Sequence, residues 1–104
     1  MTAPKREGGS EVLEKPKQRD KTEDLWKVVL HNDDYTPMDF VVDVLEQIFD
    51  KSPAEAYRVM MMVHVEGRGI AGTYTHEVAE TKAETTVDVA RSAGYPLLAS
   101  IEEA

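Results

Sequence analysis

The chain has no cysteine, which excludes disulfides and thiol catalysis and fits a cytoplasmic address. No apolar run approaches the roughly 18 residues that a membrane helix needs. Lys5 and Arg6 are followed by no apolar h-region, so no secretory signal is expected. Basic residues are also in short supply. Twelve Lys and Arg stand against 20 Asp and Glu, a net charge of −8, and such a chain repels phosphate backbones. Nucleic acid and membranes are therefore not expected as partners, and a cationic partner surface is. P-loop, GxSxG, dinucleotide, HExxH and CxxC signatures are all missing. Catalytic chemistry, a cofactor and a bound metal are accordingly not expected.

What the sequence does contain is enough for one domain: 104 residues, 41% of them hydrophobic. Residues 1–24 hold six basic and six acidic side chains, so the whole excess of negative charge falls on residues 25–104. Apart from Met1, their only large apolar residues are Val12 and Leu13, among Gly8-Gly9-Ser10, Pro4 and Pro16. That composition cannot bury enough surface to offset ordering entropy. Residues 1–24 are expected to be a flexible N-terminal extension, and 25–104 the folded core domain.

The core domain divides into six elements. Leu25 to Leu30 is a short run of strand-forming residues. Thr36 is placed to cap a helix over 37–50, with Pro37 at its first position, Asp39 in its first turn, and Tyr35 facing Phe40 as a hydrophobic staple. Ser52-Pro53-Ala54-Glu55 is a capping box that opens a second helix over 53–66, closed by Gly67. Residues 70–75, with a possible start at Gly67, read as a strand. Thr75 or His76 begins a third helix with a buried stripe of Ala79, Ala83, Val87 and Ala90, ended at Gly94. Residues 97–101 form a last strand. The order β-α-α-β-α-β implies an α+β, two-layer domain: a small sheet with helices on one face.

One stretch looks chemical rather than structural. His31-Asn32-Asp33-Asp34 follows the first strand and precedes a helix start. If the helix hairpin folds back over that strand end, Asn32 and Asp33 meet His64. A neutral imidazole nitrogen, an amide oxygen and a carboxylate are three acceptors, which match the three donors of an R–NH₃⁺ group. Met38, Val41, Met60 and Val63 would then wall a pocket for an apolar side chain beside that amine, since thioethers adapt to varied shapes. The same residues admit plainer readings. Asn-Asp-Asp is also a turn sequence, the methionines also fit a core, and His31, Asp33, Asp34, His64 and His76 are all potential zinc ligands. A docking module that reads no amine and a metal-dependent hydrolase built on Asp33, His64 and a third ligand remain as alternatives.

Asn32-Asp33-Asp34-Tyr35-Thr36-Pro37-Met38 with Asp39-Phe40-Val41, the pair Val63-His64, and Glu77-Val78-Ala79-Glu80-Thr81-Lys82 together resemble the ClpS family of bacterial Clp protease adaptors. The likeness spans about residues 25–104. It implies a three-stranded antiparallel sheet packed by three helices, and an adaptor that delivers N-degron substrates to the Hsp100 unfoldase. By the resemblance, Asn32, Asp33 and His64 hold the substrate's α-amino group. Thr36, Met38, Val41, Met60, Val63 and Leu97 form a pocket for Leu, Phe, Tyr or Trp, with Met60 at the position that gates against β-branched residues. Glu77, Glu80 and Lys82 belong to the segment that docks on the N-terminal domain of a ClpA-type unfoldase, the adaptor itself being a monomer. The N-terminal extension is expected to assist hand-off, although Lys15-Pro16-Lys17 matches no motif known for that role. Ala71 and Tyr95 also depart from the residues usual at those positions, Cys and His.

Overall fold

A computed structural model describes residues 24–104; the expected extension, save Asp24, lies outside the described residues. Strand β1 (Leu25–His31) is the centre of the fold. Val28, Val29 and Leu30 are each 0% exposed, and β1 is flanked on both edges. It pairs antiparallel with β2 (Arg68–Thr75) and with β3 (Leu98–Glu103), giving the order β2-β1-β3. Helices α1 (Met38–Gln47), α2 (Pro53–Glu66) and α3 (His76–Ser92) complete the expected β-α-α-β-α-β sequence. Val28 and Leu30 join Val41, Leu45, Val63 and Ala83 in a single core between sheet and helices. Each large aliphatic side chain fully buried there is worth roughly 1.5–3 kcal/mol. On the opposite face, Arg68 reaches across β1 to Glu102 with contacts of 2.8 and 2.7 Å. No helix among the described residues is long and apolar enough to cross a membrane.

Local signals decide α2. The Ser52 hydroxyl accepts from the Glu55 amide at 3.2 Å, and Gly67, at φ 92°, donates to the Val63 carbonyl at 3.0 Å. Both ends fall where the capping box and glycine put them. The end of α3 is a Schellman turn around Gly94 (φ 89°), with Tyr95 N–H on the Ala90 carbonyl at 2.8 Å and Gly94 N–H on Arg91 at 3.0 Å. Gly69 in β2 has a different role: a Cβ there would lie 2.8 Å from Val63 Cγ2 and 3.2 Å from the Val59 carbonyl oxygen. Its missing side chain lets α2 press directly on the sheet.

The α1 boundaries differ from expectation. Pro37, not Thr36, occupies the N-cap position, with no side-chain cap, because the Thr36 hydroxyl is already given to Asp33 at 2.8 Å. The helix stops at Gln47, and Asp50 turns the chain at φ 55°. Tyr35 forms no staple with Phe40; it is 77% exposed, while Phe40 packs edge-on against Tyr95 at 4.9 Å. In α3 the buried stripe takes Thr86 rather than Val87, since the Thr86 hydroxyl satisfies itself on the Lys82 carbonyl at 2.8 Å. Leu97 precedes β3 instead of starting it and is 1% exposed in the core.

Candidate functional site

The loop between β1 and α1 is built around one carboxylate. Asp33 Oδ1 accepts from the Tyr35 amide at 2.8 Å and the Thr36 amide at 2.7 Å, and Oδ2 accepts from the Thr36 hydroxyl at 2.8 Å. This Asx turn fixes the side chain before any ligand arrives. Burial works to raise the Asp33 pKa, but the hydrogen bonds from Thr36 and Tyr35 outweigh it, and the net direction is down from the ordinary 3.8. Asp33 is thus an anion at neutral pH. A carboxylate offers about four acceptor sites, and three are taken. The one left over is on Oδ2.

A backbone tie brings the loop to the second helix. The Asn32 amide donates to the Gly67 carbonyl at 2.9 Å, so the start of the loop is bolted to the residue that ends α2. His64 is one turn back from that end. A cavity of about 430 Å³ opens between them. Its polar side is Asn32, Asp33, Thr36 and His64, and its apolar side is Met38, Val41, Met60 and Val63. Met60 is 4% exposed and forms part of the floor, whereas Met38, 43% exposed, stands at the mouth. The amphipathic pattern of α2 explains the split: Met60 and Val63 face the core side while His64, next in sequence, is exposed.

Of the residues expected to hold the amine and the side chain, Asn32, Asp33, His64, Thr36, Met38, Val41, Met60 and Val63 line one cleft, and Leu97 is in the core and not on the cavity wall. Asp34, Tyr35 and Pro37 line it as well. The Asp33–Thr36 pairing is not legible from the sequence, because the Asp-x-x-Thr spacing that permits it leaves Thr36 equally able to cap a helix. Lys82, expected at the docking surface, also makes contacts within the fold. Its ammonium donates to the Ile48 carbonyl at 2.7 Å and lies 5.8 Å from the Phe49 ring and 5.2 Å from the Tyr74 ring. It ties α3 to the frayed end of α1. Glu77 and Glu80 are exposed in the first turns of α3. Among the described residues, no three His, Asp or Glu side chains gather as a metal-binding group.

What the cleft can do follows from its parts. One anion with a free lone pair, one amide and one imidazole line the same cavity as four apolar side chains. That combination suits a cation carrying several N–H donors beside a large apolar group.

Comparison with known proteins gives the same direction. The family model for "ATP-dependent Clp protease adaptor protein ClpS" matches residues 21–100. The ATP-dependent Clp protease adapter protein ClpS of Desulfatibacillum aliphaticivorans is 52% identical over 92 residues, covering 88% of this chain and 88% of that protein. The protein of that name from Burkholderia mallei (strain SAVP1) is 50% identical over 95 residues, covering 91% of each. Among solved structures, Agrobacterium tumefaciens ClpS2 bound to L-phenylalaninamide superposes with a TM-score of 0.76 at 40% identity, covering 79% of this chain and 99% of that one.

Proposed function

The chain belongs to the ClpS family of ATP-dependent Clp protease adaptor proteins, and from that premise we propose that its cleft reads the first residue of protein substrates and that the protein carries them to a Clp unfoldase. The observation that supports this reading is that Asn32, Asp33 and His64 line the same cavity as Met38, Val41, Met60 and Val63. An α-ammonium group supplies three donors to these three acceptors, and the side chain on the same carbon enters the cavity. L-phenylalaninamide, the ligand of the Agrobacterium relative, has this chemistry: a free amine next to a benzyl group.

Selectivity follows from both halves. Acetylating the amine removes its charge and donors, and each acceptor left buried and unpaired costs about 1–3 kcal/mol. Burying a Leu, Phe, Tyr or Trp side chain contributes roughly 1.5–3 kcal/mol, which alanine forgoes. Protonated His64 offers no lone pair and repels the ammonium, so the neutral imidazole is the binding form. In this reading residues 25–104 are the core domain and the preceding extension assists hand-off. Glu77, Glu80 and the Lys82 region meet the N-terminal domain of a ClpA-type unfoldase, and the adaptor works as a cytoplasmic monomer. It binds and delivers; bond cleavage belongs to the protease.

Fluorescence anisotropy with peptides differing only at the first residue tests the proposal. Leu, Phe, Tyr and Trp should bind, Ala and N-acetylated Phe should not, and Asp33→Ala and His64→Ala should abolish the difference. Uniform failure to bind, with the fold intact, would leave a docking module that recognises something else.

A further inference from the structure

Methionine sulfur is the most readily oxidised group in this chain. The sequence has five methionines and no cysteine to intercept an oxidant, so a peroxide meets thioethers first. Access then separates the four methionines among the described residues. Met60 is 4% exposed in the core, and Met61 is partly buried against that core. Met38 and Met62 are open, at 43% and 47%. Their exposure is matched, but their places differ. Met38 opens α1 and lines the cleft with Asp33, Thr36 and Met60. Met62 is about 200° around α2 from Met60, in a separate groove with Arg58, Val59 and Ile70.

Given the cleft reading above, we propose that Met38 is an oxidation site that controls the cleft: a hydroperoxide converts its thioether to the sulfoxide, and the cleft then loses affinity for apolar first residues. A lone pair on Met38 Sδ attacks one peroxide oxygen, and the O–O bond breaks. The proton on the transferred oxygen passes to the departing one, which leaves as water, or as an alcohol from an organic peroxide. Sulfur is oxidised by two electrons and the peroxide is reduced by two.

The product changes what the wall offers. A thioether is apolar and adapts its shape to an occupant, whereas the sulfoxide is polar and chiral at sulfur. The Tyr35 and Thr36 amides and the Thr36 hydroxyl, the donors of the neighbouring loop, are already committed to Asp33. A sulfoxide oxygen covered by an incoming side chain therefore loses water without gaining a partner from that loop. Turned outward to stay hydrated, it takes the thioether contact away from the wall. Occupancy and oxidation also oppose each other, because a side chain lying against Met38 excludes the peroxide. A loaded adaptor is protected and an empty one is open to the mark. Methionine sulfoxide reductases reverse it.

Hydrogen peroxide treatment of the full-length chain tests this, with sulfoxides located by tandem mass spectrometry and affinity read by anisotropy with a Phe-initiated peptide. Met38 and Met62 should each gain one oxygen while Met60 stays reduced, and affinity should fall about tenfold with the circular dichroism spectrum unchanged. Treatment with both sulfoxide reductases and a thiol should restore it. Met62→Leu should remain as sensitive as the parent. In Met38→Leu, whatever its starting affinity, peroxide should change binding by less than about twofold. Saturating peptide during treatment should protect Met38 and not Met62. Met38 left reduced while Met62 is oxidised, full conversion of Met38 with unchanged affinity, a loss that persists in Met38→Leu or tracks unfolding, or equal oxidation of Met38 with and without peptide each overturns the inference and leaves the cleft reading in place. Failure of the untreated chain to bind the peptide overturns the cleft reading, and the inference falls with it.

Discussion

Asp33→Asn separates what the loop carboxylate does for the fold from what it does for a ligand. Asn retains an oxygen that accepts from the Tyr35 and Thr36 amides, now made at 2.8 and 2.7 Å. The other oxygen, which takes the Thr36 hydroxyl at 2.8 Å, becomes an NH₂ group. The hydroxyl can rotate and accept from that group instead, so the turn is re-satisfied and the folding cost should stay under about 1 kcal/mol. A bound ammonium has no such remedy. It loses a charge-assisted bond of roughly 1.5–3 kcal/mol and meets a donor where it needs an acceptor, so affinity should fall about 10- to 150-fold. Anisotropy with a Phe-initiated peptide, paired with urea unfolding, measures the two quantities on one preparation. Unchanged affinity would refute the assignment of Asp33 to the amine. A loss of several kcal/mol in stability would show that the carboxylate serves mainly the loop.

Three further outcomes follow from the same geometry. Asp33 has its pKa lowered by the hydrogen bonds that outweigh its burial, and Glu102 has its own lowered chiefly by its bond to Arg68; a folded-state pKa below the unfolded one gives stability that is present above the ordinary 3.8 and 4.5 and lost as pH falls through the folded values. Unfolding free energy should therefore drop below about pH 4, with a shallower slope in Asp33→Asn, and an identical slope would contradict the Asx turn. Gly69→Ala puts a Cβ 2.8 Å from Cγ2 of Val63, a wall of the cleft; overpacking of this kind costs about 1–3 kcal/mol and, by pushing Val63 and α2, should weaken peptide binding, whereas unaltered melting would deny the close packing. Lys82→Met keeps the stem but removes the bond to the Ile48 carbonyl; stability should fall by about 1.5–3 kcal/mol, and if denaturant midpoints do not move, the residue is free for partner contact alone.

How much of this was legible from the residues depended on how far each interaction reaches along the chain. Ser52, Glu55 and Gly67 act within a few residues, and α2 begins and ends where they say. Thr36 had two local options, capping α1 or pairing with Asp33, and only the geometry of the turn selects the second. Lys82 and Ile48 are 34 residues apart, so no window of sequence contains their bond. The Asn32-Asp33 pair and His64 were recognisable as acceptors by type, but their meeting depends on the helix hairpin and on the Asn32–Gly67 tie. Leu97 went the other way: expected at the pocket, it is claimed by the core, 1% exposed, because the Schellman turn at Gly94 and the start of β3 direct it inward.

Calorimetric titration with L-phenylalaninamide, alongside N-acetyl-L-phenylalaninamide, tests the central claim most directly, because the two ligands share the benzyl group and differ in the ammonium. The account predicts heat of binding and a saturable isotherm for the first, and neither for the second at the same concentration. Equal binding of both would mean that the cavity takes the ring while Asn32, Asp33 and His64 do not read the amine, and binding of neither would mean that the cleft is not the substrate site.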